Sequence, residues 1–170
     1  MMMKLLLAAG ITALCAGVSL QVILPPKKKY IYNPTPSAPV GWYKIAANDN
    51  VKVGDFVAAY APESAMELAV ERQYLPSNIP LLKSVWAVEG AEICFENDRV
   101  SVPNYPVLTR NQTDNLGREM PVLTGCLVLK QNEVFLISDK IGTSFDSRYF
   151  GAVPAKNVLG TAVFLGEKRK

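Results

Sequence analysis

Three polar side chains that lie far apart in the sequence, Ser37, Lys83 and Ser144, have types and surroundings suited to hydrolytic chemistry. Ser37 lies in the proline-rich stretch 33–43, where prolines restrict the backbone and favour extended conformations around one fixed hydroxyl. Lys83 interrupts the apolar run 81–88, and burial there would favour a neutral amine that can act as a base. Together these residues predict a serine nucleophile, a lysine general base and a second hydroxyl that orients the lysine.

The chain contains no histidine, and this count excludes several other kinds of active site. A Ser-His-Asp triad, a Cys-His dyad and a histidine-ligated metal are ruled out, and three cysteines are too few for a zinc site of four thiolates. The general base must therefore be a lysine, a carboxylate or an N-terminal amine. We expect neither a metal nor another cofactor.

Each of these residues also has a purely structural interpretation when taken alone. Ser37 could belong to a proline-rich linker, and Lys83 could protect the edge of a sheet against aggregation. Asp146 and Arg148 are two residues apart, so their side chains would project from one face and brace a loop whatever the protein does. The hydrolytic interpretation depends on the combination rather than on any single residue.

An uncharged segment, residues 5–24, is preceded by a lysine and followed by Pro-Pro-Lys-Lys-Lys. Its length suits a membrane-spanning helix, so we expect a membrane anchor over residues 1–26, with a cleaved signal as the alternative, and one domain over residues 27–170. By themselves, the three lysines favour a cytoplasmic domain. The net charge of +3 is small and scattered, which gives nucleic-acid binding little support.

Short runs rich in β-branched and aromatic residues predict strands along the whole domain. They lie at residues 41–45, 55–60, 81–88, 91–95, 99–102, 126–129, 134–138 and 158–165. Residues 63–74 instead follow a helical period, with capping-box spacing between Ser64 and Glu67. Residues 105–124 are polar and loop-like. These features predict a mainly β, antiparallel domain with one short inserted helix, preceded by an N-terminal transmembrane helix.

Three motifs can be written for the chain. They are Asn33-x-Thr35-x-Ser37-x-Pro39-x-Gly41-x-Tyr43, Leu82-Lys83-x-Val85-x-Ala87-Val88-x-Gly90 and Ser144-Phe-Asp-Ser-Arg-Tyr-Phe-Gly151. These motifs resemble the three motif boxes of the type I signal peptidase family, serine peptidase S26, and stand in the same order. The likeness covers most of the chain after about residue 30. It is strongest to the conjugative-transfer, or TraF-like, branch, because Ala38 follows Ser37 where general leader peptidases usually carry methionine.

The resemblance implies a serine endopeptidase with a signal-peptidase-like β fold and a Ser-Lys dyad. By motif position, Ser37 is the expected nucleophile and Lys83 the expected general base. Thr35 is expected to assist the oxyanion beside the backbone N–H of Ser37, as preorganised donors do in acyl transfer. The third motif matches the hydroxyl that orients the lysine and a structural pair that supports the site, at Ser144, Asp146 and Arg148.

The resemblance also implies a bacterial inner-membrane enzyme whose catalytic domain lies in the periplasm. Its substrate would be a pilin precursor with a small residue at the cleavage site, and conjugation-apparatus proteins would be further partners. Either water or the substrate's own amino terminus would resolve the acyl-enzyme, giving a hydrolysed or a cyclic pilin. In an oxidising compartment, Cys94 and Cys126 are expected to form a disulfide while Cys15 stays apart in the membrane.

Three other functions remain open from the sequence. A general leader peptidase shares the chemistry but processes many exported precursors. A self-cleaving repressor uses a similar dyad, although the expected membrane span and the lack of a basic recognition helix argue against it. A non-enzymatic extracytoplasmic assembly protein would carry Ser37 and Lys83 incidentally.

Overall fold

The computed structural model describes residues 29–48, 50–76, 79–139 and 142–167. Within these ranges the chain forms eleven β-strands, two short α-helices and one turn of 3-10 helix. The membrane anchor expected over residues 1–26 lies outside the described residues. Among the residues that are described, no helix is long and apolar enough to cross a membrane.

The strands follow one another along the whole domain and are interrupted by helices at two places. In chain order the strands are β1 (Tyr30–Asn33), β2 (Gly41–Ala46), β3 (Phe56–Ala59), β4 (Leu81–Val88), β5 (Glu92–Glu96), β6 (Arg99–Ser101), β7 (Leu108–Thr109), β8 (Gly125–Val128), β9 (Glu133–Ile137), β10 (Val153–Pro154) and β11 (Val158–Gly166). Helix α1 (Glu63–Glu71) follows β3, helix α2 (Ser147–Phe150) precedes β10, and the 3-10 turn is Ala155–Asn157. The mainly β class and the inserted helix agree with the sequence prediction.

Two antiparallel sheets carry these strands. The larger sheet has seven strands in the order β1-β2-β11-β3-β4-β9-β10, and the smaller sheet has four in the order β7-β6-β5-β8. Strand β4 therefore lies inside the larger sheet between β3 and β9, with Lys83 directly opposite Val57 of β3. This position contradicts the interpretation of Lys83 as a residue that protects a sheet edge, because β4 is paired on both sides.

Burial along the strands follows the residue types. In β2 buried and exposed positions alternate, with Tyr43 buried and Trp42 exposed, as expected for a strand with one face toward the core and one toward solvent. In β4 every position is buried or half-buried. A strand covered on both faces explains why its sequence reads as a nearly continuous apolar run.

Three groups of buried apolar side chains form the core. The first joins the two sheets and contains Ala87, Ile93, Phe95, Val100, Val102, Leu129, Phe135 and Ile137. The second packs under β1, β2 and β11 and contains Ile31, Ala38, Tyr43, Ile45, Ala58, Leu82 and Ala162. The third lies around β3, β4 and β9 and contains Val57, Ala59, Val85, Val134, Leu136 and Val153. Because Ala38 belongs to the second group, its burial anchors the chain next to Ser37.

Helix α1 begins at Glu63, as the sequence predicts, but its N-terminal cap and its C-terminal end differ from the prediction. The helix expected over residues 63–74 ends at Glu71, and no side chain forms a cap hydrogen bond at its start. The capping box expected for Ser64 and Glu67 is therefore wrong. The early end has a local cause, since Gln73 adopts a left-handed conformation with φ of 59°, which does not continue a helix.

Five short elements have no counterpart in the sequence prediction: β1, β7, β10, α2 and the 3-10 turn. The three strands have two to four residues, too few for an alternating pattern to be recognised. Helix α2 is a single turn whose N-cap is Asp146, with the side chain accepting a hydrogen bond from the Arg148 N–H. That helix depends on its cap rather than on a periodic apolar face.

Cys94 and Cys126 are joined by a disulfide in the smaller sheet, where they face each other on the paired strands β5 and β8. This is the pair expected from the sequence, and Cys15 lies outside the described residues. The bond closes a loop that contains β6, β7 and the polar residues 105–124. The base of that polar segment is thereby fixed covalently.

Replacing both Cys94 and Cys126 by alanine should lower the free energy of unfolding by roughly 3–4 kcal/mol, because a bond across a separation of 32 residues restricts the unfolded chain. Urea denaturation of the variant and the wild type measures this difference. In unreduced, unfolded wild type, a thiol titration should find neither of these two cysteines reactive. Equal stability, or two reactive thiols at these positions, would contradict the disulfide.

Candidate active site

Ser37 lies in a turn between β1 and β2 that is held by the side chain of Asn33. The Asn33 amide donates to the backbone carbonyls of Thr35 at 2.8 Å, Ala38 at 3.1 Å and Pro39 at 3.2 Å. The chain bends at Thr35 and turns at the next two residues, so the extended conformation expected here is wrong. A buried amide that gathers several carbonyls outweighs the extended preference of residues next to proline.

The hydroxyls of Thr35 and Ser37 form a hydrogen bond, with 3.0 Å between the two Oγ atoms. The Thr35 hydroxyl also donates to Oδ1 of Asn33 at 2.8 Å. Because a hydroxyl has one proton, the Ser37 hydroxyl is then the donor to Thr35. Rotation of the Thr35 hydroxyl away from Asn33 would direct its proton at an oxygen bound beside Ser37.

Lys83 is buried in the middle of the larger sheet, with 2% of its surface exposed. Its side chain projects from the same face of β4 as Leu81, two residues earlier, because side chains alternate along a strand. Leu81 lines the cleft described below. Neither of the two salt bridges among the described residues involves Lys83.

The pKa of Lys83 is lowered from 10.5 to about 8. Burial is the largest cause, because it removes water from the charged ammonium. The charge of Asp146 raises this pKa, Arg148 lowers it, and Asp139 raises it. A large fraction of the Lys83 amine is therefore neutral near pH 8, as a general base requires.

Ser138, immediately after β9, links the turn of Ser37 to the strands around Lys83. Its hydroxyl donates to the backbone carbonyl oxygen of Ser37 at 2.8 Å, and its N–H donates to Oδ2 of Asp146 at 3.1 Å. The register of β4 against β9, continued by one residue, places Lys83 opposite Ser138. One residue thus connects the backbone of Ser37, the neighbourhood of Lys83 and a buried carboxylate.

Asp146 and Arg148 form a buried ion pair with two parallel hydrogen bonds. The Nε of Arg148 donates to Oδ1 of Asp146 and its Nη2 donates to Oδ2, each at 2.8 Å. Arg148 also donates to the carbonyls of Thr109 at 3.1 Å, Gly142 at 2.7 Å and Ser144 at 3.1 Å. The pair therefore braces the loop that carries Ser144, and removing one partner would leave a buried charge at a cost of about 3–5 kcal/mol.

A cleft of about 430 Å³ brings together Thr35, Ser37 and Ser144. Its other walls come from the segment after α1 and from the polar loop between β7 and β8. Lys83 does not line this cleft. Among the described residues, the Ser37 hydroxyl is hydrogen-bonded to Thr35, and no hydrogen bond joins it to Lys83.

Asn33 and Ser138 hold the site together but were not assigned roles from the sequence. Asn33 has a recognisable signal, because an asparagine followed by a proline often begins a turn. Ser138 has no such signal, since its contact with Ser37 joins residues 101 apart in the sequence.

Among the described residues, one group of possible metal ligands lies away from the cleft. It consists of Glu92, Cys94 and Cys126, but both cysteines are used in the disulfide.

Comparison with known proteins gives consistent matches. The family model for signal peptidase, peptidase S26, matches residues 2–166. The probable conjugal transfer protein TraF of Sinorhizobium fredii (strain NBRC 101917 / NGR234) is 39% identical over 143 residues, which cover 78% of this chain and 74% of that protein. The conjugal transfer protein TraF of Agrobacterium fabrum (strain C58 / ATCC 33970) is 36% identical over 143 residues, covering 78% and 80%. A crystal structure of a signal peptidase I from Enterococcus faecalis V583 aligns with a TM-score of 0.39 and 16% identity over 68% of this chain and 98% of that one.

The burial of Lys83 predicts a specific dependence of stability on pH. Its pKa is lower in the folded chain than in the unfolded chain, so the burial penalty is fully present below about pH 8 and disappears as the pH rises past about 10.5. Lys83→Met keeps the length of the side chain and removes the charge. The variant should therefore be more stable than the wild type at pH 7, and this advantage should shrink by roughly 3 kcal/mol by pH 10.5.

Urea denaturation of both proteins at pH 7, 9 and 10.5 measures this change. Lys44→Met, at an exposed position of β2, is the matched control and should show no such trend. A stability difference for Lys83→Met that stays constant across the three pH values would mean that the pKa of Lys83 is not lowered.

Proposed function

Since the chain belongs to the signal peptidase family, peptidase S26, and is similar to TraF conjugal transfer proteins, we propose that it is a membrane-anchored serine endopeptidase that processes a pilin precursor for conjugative transfer. Ser37 is the nucleophile and Lys83 the general base. The observation that carries this proposal is the pair of hydroxyls in the cleft, 3.0 Å apart, next to a strand whose buried lysine has a pKa of about 8. A nucleophile, an oxyanion donor and a base are the three groups that acyl transfer needs.

The reaction begins when the neutral Lys83 amine accepts the proton of the Ser37 hydroxyl, whose oxygen attacks the carbonyl carbon of the scissile peptide. For this step the Ser37 hydroxyl turns from Thr35 toward Lys83 as the substrate enters. Catalytic hydrogen bonds are often absent or long in a free enzyme and shorten in the substrate complex. The oxyanion is then held by the Ser37 N–H and by the Thr35 hydroxyl, which leaves its acceptor Asn33.

The tetrahedral intermediate collapses when its C–N bond breaks and the leaving amine takes the proton from the Lys83 ammonium. Ser37 then carries an ester to the part of the substrate that preceded the cut. Neutral Lys83 next accepts a proton from the group that attacks this ester. Attack by water releases a trimmed product, and attack by the amino terminus of the same substrate releases a cyclic one.

Residues of the third motif position the base in this proposal. Ser144 is 5% exposed and lines the cleft, and its proposed role, taken from its position in the third motif, is to accept a hydrogen bond from the Lys83 amine and orient the lone pair of that amine toward Ser37. Asp146 and Arg148 hold the backbone of Ser144 and the N–H of Ser138. These three residues therefore act through Lys83 and Ser37 rather than on the substrate.

Two considerations support the proposed substrate. The relatives described above are conjugal transfer proteins, which favours a pilin precursor over the varied exported precursors of a general leader peptidase. A small residue at the cleavage site is the expectation from the family resemblance. Conjugation-apparatus proteins are proposed as partners on the same ground.

An exposed aromatic surface supports a location at the membrane. Tyr30, Tyr32 and Trp42 lie on the outer face of β1 and β2 and are 57%, 36% and 44% exposed. The rings of Tyr32 and Trp42 are in contact, with centroids 5.3 Å apart. Aromatic side chains with a polar end are enriched at membrane–water interfaces. We propose that the segment 1–26 anchors the domain in the inner membrane and that this surface faces the periplasmic leaflet.

Mutation of the dyad tests the proposed reaction. The chain is co-expressed with a candidate pilin precursor, and the mass of the product is measured; a loss of one further water from the trimmed mass reports cyclisation. Ser37→Ala and Lys83→Arg should both abolish processing, because arginine keeps the charge but cannot supply a neutral base. The rate of the wild type should rise with pH through a midpoint near 8, the pKa of Lys83.

Thr35 provides a graded test of the same mechanism. Thr35→Ala should reduce the rate by about a hundred- to a thousandfold, the usual effect of losing one oxyanion donor, whereas Thr35→Ser should retain most of the activity. Ser101→Ala, at an exposed position of β6, is the control for serine removal and should be fully active. If a folded Lys83→Arg variant processed the precursor at the normal rate, the assignment of Lys83 as the general base would be wrong.

Protease accessibility tests the proposed topology. Protease added to intact spheroplasts should digest the domain, because we place residues after 26 in the periplasm despite the three lysines that follow the anchor. A cytoplasmic protein serves as the control for leakage. Protection in intact spheroplasts followed by digestion after lysis would reverse this topology.

A further inference from the structure

The cleft has a wall that does not belong to the proposed catalytic machinery and that joins two distant segments of the chain. One segment, residues 72–74, directly follows α1, and the other, residues 114–119, lies in the loop between β7 and β8. We call these two segments the polar wall. Residues 72–74 and most of 114–119 line the same cleft as Ser37.

A network of hydrogen bonds closes the polar wall. The Tyr74 hydroxyl donates to Oδ2 of Asp114 at 2.5 Å, and Nε of Arg118 donates to the same oxygen at 2.7 Å. Two further bonds cross between the segments, since Arg72 donates to the carbonyl of Glu119 at 2.7 Å, and Nη2 of Arg118 donates to the carbonyl of Arg72 at 3.2 Å. The bond from Arg118 to Asp114 lies within the loop, whereas the other three join groups 40 to 47 residues apart and are tertiary contacts.

Asp114 also shapes the tip of the loop. Its Oδ1 accepts hydrogen bonds from the N–H groups of Leu116 and Arg118, each at 2.9 Å. The hydrogen bond from Tyr74 is the largest cause that holds the pKa of Asp114 well below its usual range, so the carboxylate stays charged. The tip that results presents Leu116 beside the cleft with 76% of its surface exposed.

The third motif fixes the position of the polar wall relative to the proposed catalytic residues. The Tyr74 ring packs against Phe145, next to Ser144, with ring centroids 5.5 Å apart. At the base of the loop, the N–H of Asn111 donates to the Tyr149 hydroxyl at 2.9 Å. The third motif therefore contacts the polar wall at Tyr74 and the base of the same loop at Asn111.

Stability alone does not account for this arrangement. Partly exposed ion pairs such as that of Asp114 with Arg118 usually contribute little to folding, since water competes for both charges. Leu116 gains nothing from its exposed position in the free protein, because its side chain loses water only when another molecule covers it. An apolar side chain held at the edge of a cleft is suited to contact a ligand in that cleft.

We propose that Tyr74, Asp114 and Arg118 are positioning residues that hold Leu116 at the cleft, where it packs against one apolar side chain of the bound precursor. This inference rests on the proposed function for the identity of the precursor. It adds a selective contact on the substrate away from the bond that is cut. The selected group is a leucine-sized aliphatic side chain.

The test uses the full-length chain and ten-residue fluorogenic peptides with alanine at the cleavage position. A single leucine is moved through the other positions of an alanine–serine background. Wild type should prefer leucine at one of these positions by about tenfold in kcat/KM, the order expected for burying one such side chain, and the difference should lie in KM. Leu116→Ala should remove this preference, and the loss should appear in KM for the leucine peptide.

Two further variants separate positioning from direct contact. Tyr74→Phe and Asp114→Asn should each weaken the leucine preference severalfold, and the loss in the double variant should be smaller than the product of the two single losses, because both changes disrupt the hydrogen bond between these side chains. The matched controls are Leu165→Ala and Tyr105→Phe. Leu165 is 54% exposed on β11 outside the cleft, and Tyr105 stacks on Trp86. Both controls should keep the preference of the wild type.

Peptide binding to the Ser37→Ala variant, measured by fluorescence anisotropy, distinguishes failure of this inference from failure of the proposed function. If wild type cleaves no peptide but Ser37→Ala binds the leucine peptide about tenfold more tightly through Leu116, the proposed function fails and the contact stands. A preference that survives in folded Leu116→Ala, or that is lost equally in Leu165→Ala, overturns the inference while cleavage continues. Absence of both cleavage and binding overturns both.

Discussion

The buried ion pair between Asp146 and Arg148 is the interaction on which the geometry of the site depends. Arg148 reaches the carbonyls of Thr109, Gly142 and Ser144, and Asp146 accepts from the N–H of Ser138. Loops from different parts of the chain thus share one charged centre that water does not reach. Each charge can remain buried only while the other is present, so the loops must adopt one arrangement for the pair to exist.

The same pair decides how Lys83 can be buried. A lysine that faced Asp146 alone would have its ammonium stabilised, whereas Arg148 lies close enough to offset that attraction. Burial is the largest influence on Lys83, and because Arg148 opposes the attraction of Asp146, the pKa of Lys83 falls to about 8. Burial of the Lys83 ammonium lowers the stability of the folded chain at neutral pH. The same burial favours the neutral amine, which can accept a proton.

Local patterns allowed much of the larger sheet to be predicted. The run at β4 was predicted to the residue, because a strand covered on both faces must be apolar throughout and Lys83 then stands out as an exception. The turn of Ser37 was predicted as extended, because proline preferences are local and the side chain of Asn33 overrides them. The role of Ser138 and the polar wall lay beyond sequence reasoning, since their hydrogen bonds join residues 40 to 101 apart.

The two sheets contribute different parts of the site. The larger sheet and its connections hold Lys83 and the turn of Ser37, whereas the smaller sheet supports the loop that carries Leu116. That loop is fixed at its base by the disulfide and by Arg110, whose guanidinium donates to the carbonyls of Asn97 and Leu123, both at 2.6 Å. This fixed base separates changes at the tip of the loop, where Leu116 lies, from the charges of Asp146, Arg148 and Asp139 that act on Lys83. A fold arranged in this way can alter the substrate segment that it accepts while it keeps the same proton-transfer chemistry.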